Sequence, residues 1–410
     1  CGRKELQSYD QRLTSHSYIS TANHSKTHQC YGCILSTISH CILLLLAFVS
    51  SSNRFKQIIT NNMSLIDELL LNNIRYTNQQ IRHDVRLLFC HLTRDNTQLT
   101  DYITTKISMK IERFLNENTY FSSAEINYDL LVLYSLIQRS NQDDQDLCWE
   151  IKLRSILKLF LQSLQNTTPQ VLEMITLPCL RMLLHLSKSP TTNSSTTKLV
   201  SVNIDEFLSK KLTYQDWLSN QDRTLTFKRM KNSWLEKLIF CPQSATIRFY
   251  ICKLIQTLCT NNEKQKFFIL QILLDYLHLI CNENLSKFSI EYVQLIKDLL
   301  ANDNQLKTAL CNDEQINIIE YLANLIENEI SIINKQDERN LSNSNLTFGY
   351  SIKCLTEFLT LFLQQDEFKQ KYKSILIAIV LNGYLTLKKF ILQRTKLIDE
   401  AQIKMLELLE

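Results

Sequence analysis

The chain has 410 residues and a net charge of +4, from 45 Lys and Arg against 41 Asp and Glu; that near-balance excludes the strongly basic face by which nucleic-acid binders are recognised. It contains only 4 Gly and 4 Pro, far below the roughly 7% and 5% of average proteins, which excludes a fold built on tight hairpin turns. The fold expected is all-α, and a 45% hydrophobic content supplies a continuous core.

Residues 1–29 are polar, rich in Ser, Thr and His, and read as a linker or a loosely attached segment. Cys30-Tyr31-Gly32-Cys33 follows, and then residues 34–49 without one Lys, Arg, Asp or Glu. A membrane span needs about 20 predominantly apolar residues, and Ser36, Thr37, Ser39 and His40 interrupt this run. It therefore reads as a fully buried helix. Cys30, Cys33, His40 and Cys41 are the candidate zinc ligands, but the second pair lacks the usual spacing and Cys41 belongs to the apolar run. Core cysteines account for the same letters, and no metal is expected in this chain. The other cysteines, such as Cys90, Cys179, Cys252, Cys259 and Cys354, sit singly in apolar runs as small hydrophobes, which points to a reducing cytoplasmic or nuclear setting.

From there helix follows helix. Leu65 to Leu71 ends at Asn72-Asn73, and Ile81, Val85, Leu88 and Leu92 make a stripe that stops before Asp95 and Asn96, either of which suits the cap of the next helix. Further helices are predicted near 99–116, 124–139, 148–165 and 169–187, the last with Pro169 in its first turn. A Ser/Thr/Asn-rich break opens at Lys188, and a second series is predicted near 243–260, 263–281, 286–301, 313–334, 346–364 and 368–410. The organisation expected is a first helical block over 30–187, a loop-rich connection over 188–232 and a second block over 233–410. Helix pairs at about 40 residues per pair suggest an irregular armadillo-like or HEAT-like α-solenoid, with a globular helical bundle as the alternative. No Gly-rich phosphate loop, Gly-x-Ser-x-Gly or His-Glu-x-x-His is present, so no catalytic residue and no bound cofactor are predicted.

In the last stretch, Val380, Tyr384, Leu387, Ile391, Ile398, Ala401, Met405 and Leu408 recur at helical spacing, with one seven-residue gap spanning Thr395. The stretch runs to Glu410 without a helix stop signal, so the chain is expected to be cut from a longer polypeptide. The segment VLNGYLTLKKFILQRTKLIDE, with its Asn382-Gly383-Tyr384 and Gln393-Arg394-Thr395-Lys396, resembles the giant UBR-box E3 ubiquitin ligases of the N-degron pathway, the calossin/pushover group of animals and BIG of plants. Cys30-Tyr31-Gly32-Cys33, Leu92-Thr93-Arg94-Asp95-Asn96, Ile175-Thr176-Leu177-Pro178-Cys179-Leu180-Arg181 and Gly349-Tyr350-Ser351-Ile352-Lys353 extend the resemblance over about residues 30–410, most thinly over 187–230.

The resemblance implies a ligase that recognises destabilising N-termini and passes ubiquitin from an E2, using a Cys/His-rich UBR box and a zinc-bearing module near the C-terminus. Neither pattern occurs in these residues. What is implied for this segment is a non-catalytic scaffold, with zinc, substrates and E2 engaged by modules outside it. The reading set against it is a free-standing armadillo-like adaptor. Lys388, Lys389, Phe390, Arg394 and Lys396 lie on what reads as one basic amphipathic helix, the candidate partner site. The family's association with calmodulin makes that protein, or another acidic partner, a candidate ligand, set against the reading of the same apolar stripe as solenoid core; no nucleic acid and no membrane is expected.

Overall fold

The computed structural model describes residues 31–72, 79–117, 123–138, 146–165, 168–188, 234–260, 263–282, 285–301, 303–312, 317–335, 348–364, 366–389 and 396–408. Among them helices, turns and short 3-10 segments account for the structure and no strand occurs, so the protein is all-α. It forms two compact units, Cys1–Val200 and Ser201–Glu410.

In the first unit, α1 (Tyr31–Ser51), α2 (Asn53–Thr60), α3 (Met63–Asn72), α4 (Gln79–Thr93), α5 (Thr97–Glu117), α6 (Ser123–Gln138) and α7 (Asp146–Ser163) follow one another. Alternate helices stack, α1 on α4 and α4 on α6 in one layer, α5 on α7 in the other. Ile81, Leu88, Ile103, Ile111 and Phe160 are sealed between the layers. Polar side chains join neighbours within a layer: the Tyr102 hydroxyl on α5 donates to Asp67 on α3 at 2.7 Å, and Lys158 on α7 reaches Glu112 on α5 at 2.6 Å. The last helix, α8, starts at Pro169–Val171, widens into a π-helical turn over Leu172–Thr176 and continues through Leu177–Lys188. Pro178 has no N–H to give the carbonyl four residues back, and the helix absorbs the loss by one wide turn in which Leu177 N–H reaches Leu172 O. Thr168 caps the start by accepting from Val171 N.

The second unit repeats the two-layer plan. Its helices are α9 (Trp234–Ile239), α10 (Ala245–Cys259), α11 (Glu263–Asp275, continued by a 3-10 turn over Tyr276–Cys281), α12 (Ile290–Leu300), α13 (Asn304–Cys311), α14 (Ile318–Lys335), α15 (Phe348–Phe362), α16 (Asp366–Lys388) and α17 (Lys396–Glu407). α10, α12, α15 and α17 stack in sequence as one layer, while α14 and α16 pack side by side in the other. This stacking within each unit is solenoid-like.

A chain so short of glycine turns its corners with side-chain caps. Asn96, Ser244, Asp303 and Asn317 accept from the backbone N–H three residues on. Of the two cap candidates before α5 it is Asn96 that caps, while Asp95 takes the left-handed turn at φ 57°.

Three sequence expectations are corrected. The run over residues 34–49 is a half-exposed helix: Ile42 and Val49 are buried, but Leu43, Leu44 and Phe48 are open among the described residues. One apolar stripe suffices to seat α1 on α4, so its lack of charge does not mean burial all round. The stretch predicted as one helix over 368–410 is α16 and α17, because α17 must run back to stack on α15. Residues 53–60 and 304–311, not predicted as helices, form α2 and α13.

Two glycines are required by close approach. A Cβ on Gly349 would lie 2.8 Å from Ile398 N and from Leu397 C, which are backbone atoms at the start of α17. A Cβ on Gly383 would meet the end of the Met405 side chain, at 2.3 Å from Cε and 2.6 Å from Sδ. Backbone cannot yield as a flexible thioether can. Gly349→Ala is therefore expected to cost about 1–3 kcal/mol and Gly383→Ala less, measured by thermal unfolding; the reverse order would contradict the α15–α17 packing.

Candidate docking surface

The stripe along the last two helices packs as its spacing predicted: Val380, Leu387, Ile398, Ala401, Met405 and Leu408 are buried and Tyr384 half-buried, while Ile391 lies outside the described residues. Of the partner-site candidates, Lys388 closes α16, Lys389 follows it and Lys396 opens α17, all three exposed; Phe390 and Arg394 lie outside the described residues. They do not share one helix, which corrects the single basic amphipathic helix expected there. α16 is engaged by α14 and α17, with Thr386 Oγ1 donating to Asn334 Oδ1 on α14 at 3.2 Å and Gln402 Nε2 on α17 donating to Tyr384 O at 3.4 Å. A partner thus meets a flank of α16 rather than its whole circumference.

A pattern that the sequence reading missed runs across the layer formed by α10, α12, α15 and α17. At each step a cation on one helix holds a carboxylate on the next: Arg248 Nε to Glu291 Oε2 at 2.9 Å, Lys297 to Glu357, and Lys353 Nζ to Glu400 Oε2 at 2.5 Å. The hydrogen bond from Lys353 pulls the Glu400 carboxyl below its usual range, and the same bond raises Lys353. These pairs are half-buried rather than sealed in the core, so they set register between helices more than stability. The Lys-x-x-x-Glu spacing of Lys353 and Glu357 on α15 recurs as Lys396 and Glu400 on α17. Each carboxylate receives the preceding helix, and Lys353 reaches the following one. Lys396, in the corresponding place, has a side chain 90% exposed and sits 3.6 Å from Glu400 of its own helix. Two cations separated by the interval of a helix pair were visible in the sequence, but the pairing across helices was not.

The metal-ligand candidates do not converge. Cys30 lies outside the described residues, Cys33 falls on α1, and His40 and Cys41 are exposed. Cys33 and Cys41 are eight residues apart on one helix, about 12 Å at 1.5 Å per residue, whereas ligands to one zinc must approach it to about 2.3 Å. His40 Nδ1 instead lies 2.6 Å from the Ser36 carbonyl, and no group of three or more His, Cys, Asp or Glu placed to hold a metal occurs among the described residues. Burial pushes the thiols of Cys179 and Cys252 up to about 12 and those of Cys311 and Cys354 to about 11, so these are protonated core groups and not nucleophiles. No helix among the described residues is long and apolar enough to cross a membrane.

Over its full length the chain is 25% identical to Protein purity of essence of Drosophila pseudoobscura pseudoobscura, of which it spans 9%. Over 93% of its length it is 22% identical to Auxin transport protein BIG of Oryza sativa subsp. japonica, again spanning 9% of that protein. Over 39% of its length it is 27% identical to a probable E3 ubiquitin-protein ligase of Dictyostelium discoideum, covering 3% of it. No family model and no solved structure matches the chain.

Proposed function

We propose that this chain, a homologue over nearly its whole length of the giant UBR-box proteins Purity of essence and BIG, serves as a non-catalytic scaffold within a ubiquitin ligase of the N-degron pathway. In this reading it spaces a substrate-recognition module from an E2-recruiting one, both outside these residues and bearing the zinc, in the cytoplasm. The observation that supports it is the stack itself. Within each unit stacked helices share core contacts, and in the second unit ion pairs also join successive helices of one layer, so a displacement is carried along that unit's layer, as a spacer requires. The buried, protonated thiols favour a structural part over a transfer site.

The test has two arms. The purified chain, added to an E2 charged with ubiquitin, is expected to discharge no more than the E2 does alone; discharge by the chain would overturn the non-catalytic assignment. Deleting residues 31–408 from a full-length ligase that contains them is expected to weaken substrate ubiquitination, and full activity after the deletion would overturn the scaffold assignment.

A further inference from the structure

α16 and α17 together present an exposed apolar flank. On α16, Ile377, Leu381 and Leu385 are open, at 39%, 53% and 56%, and follow at intervals of four, one above the other. At 100° per residue Ile377 lies opposite Thr386, which bonds α14, so the open stripe turns away from α14. On α17, Gln402 leans onto α16, and the exposed Ile403 and Leu406 stand beside it on the same flank. The two apolar sets adjoin. Lys396 shares the face of Ile403, two turns away. Residues 368–398 carry Lys and Arg but no Asp or Glu, in a chain otherwise balanced in charge. The α17 carboxylates are Glu400, held by Lys353 at 2.5 Å and 3.6 Å from Lys396, Asp399, half-buried, and Glu407, which Lys404 holds at 2.6 Å.

We propose that this flank docks an amphipathic helix of a partner protein, whose Leu/Ile face covers Ile377, Leu381, Leu385, Ile403 and Leu406 and one of whose carboxylates takes Lys396. Charge complementarity specifies the occupant: three successive steps of the layer place a carboxylate against the cation of the preceding helix, and Lys396 repeats the position from which Lys353 does so. The apolar stripe supplies affinity, as in helix-in-groove recognition read at i, i+4 and i+8, and the lysine supplies register. The proposal deepens the scaffold reading, on which it rests for the existence of a protein partner, but its test contains no ligase component and fails independently of it.

The probe is a helix-stapled, fluorescent peptide copying Lys396–Glu407, which carries Glu400 on an apolar face of the right type, titrated against the whole chain by anisotropy. Saturable binding is expected, weakened about tenfold or more by Leu381→Asp and about tenfold by Lys396→Glu. A probe with Glu400→Lys is expected to bind the Lys396→Glu chain as the original pair binds. Both chain substitutions fall on exposed positions, and unchanged helicity by circular dichroism establishes that the variants are folded. Absence of saturable binding, or binding that both substitutions leave unchanged, overturns the proposal. So does self-association of the chain in sedimentation that Leu381→Asp abolishes, which would assign the flank to a second copy.

Discussion

Leu387→Asp is expected to be the most damaging single change in the last two helices, lowering the stability of the second unit by about 4 kcal/mol or more. Leu387 is 2% exposed, on the stripe by which α16 meets its neighbours. The substitution removes a well-packed side chain, a loss of about 2–5 kcal/mol for a comparable truncation, and sets in its place a carboxylate with no cation to pair it, a further cost of several kcal/mol unless it takes up a proton. Leu385→Asp, two residues earlier at 56% exposure, is the matched control and is expected to change stability by no more than about 0.5 kcal/mol. Thermal unfolding of the two variants decides the matter. Equal losses would show that the inward face of α16 has been misassigned. In a full-length ligase, Leu387→Asp is further expected to weaken substrate ubiquitination.

That inward face was legible before any coordinates, and the reason is elementary. A helix seated on one side needs one stripe at 3.6-residue spacing, and Val380, Leu387, Ile398, Ala401, Met405 and Leu408 mark it. What periodicity could not give was the break between two helices carrying such stripes in succession, since the phase change over the interval from Ile391 to Ile398 is small. Length was the better signal, because a two-layer stack must reverse direction. The short helices α2 and α13 escaped for a different reason. Eight residues hold too few apolar positions to make a period, yet each is announced by its cap, Ser52 accepting from Phe55 N and Asp303 from Leu306 N.

The candidate site was half legible. Lys388, Lys389 and Lys396 were found by charge, but the open stripe of Ile377, Leu381 and Leu385 was not, because periodicity shows that a helix has apolar faces without showing which of them is covered. Residues 34–49 were misread for the same reason. The absence of charge in α1 allowed burial all round, and only the neighbours decide how much of a helix is covered. The ion-pair steps joining residues 43 to 60 positions apart have no local signature at all. By contrast Gly349 and Gly383, two of only 4 glycines, stood out in composition and prove to lie where a neighbouring helix leaves no room for a Cβ.

Asp275→Asn is expected to stabilise the protein, and to do so only above about pH 5. Asp275 ends α11, with its Oδ1 buried and no hydrogen-bond partner among the described residues. Its own carbonyl accepts from His278 Nδ1 at 2.6 Å, and the phenols of Tyr292 on α12 and Tyr321 on α14 lie close by. Burial without a compensating cation pushes its carboxyl up from 3.8 to about 7. The sign follows directly. Between those two values the folded chain holds a proton that the unfolded chain has released, so stability falls as pH rises through the interval and levels off above it. At about 1.4 kcal/mol per unit, the full penalty at pH 8 is on the order of 4 kcal/mol. Asn keeps the shape of the protonated acid and carries no charge at any pH. The variant should therefore match the parent near pH 4, exceed it increasingly from pH 5 to 7, and hold a constant lead at pH 8. Asp129, pushed by burial to about 6 but facing Lys110 Nζ at 2.9 Å, should behave differently, since Asp129→Asn removes a penalty and an ion pair together. Urea unfolding at pH 4.5, 6.5 and 8 reads both. A lead for Asp275→Asn that does not grow with pH would mean that this carboxylate is hydrated in the folded protein.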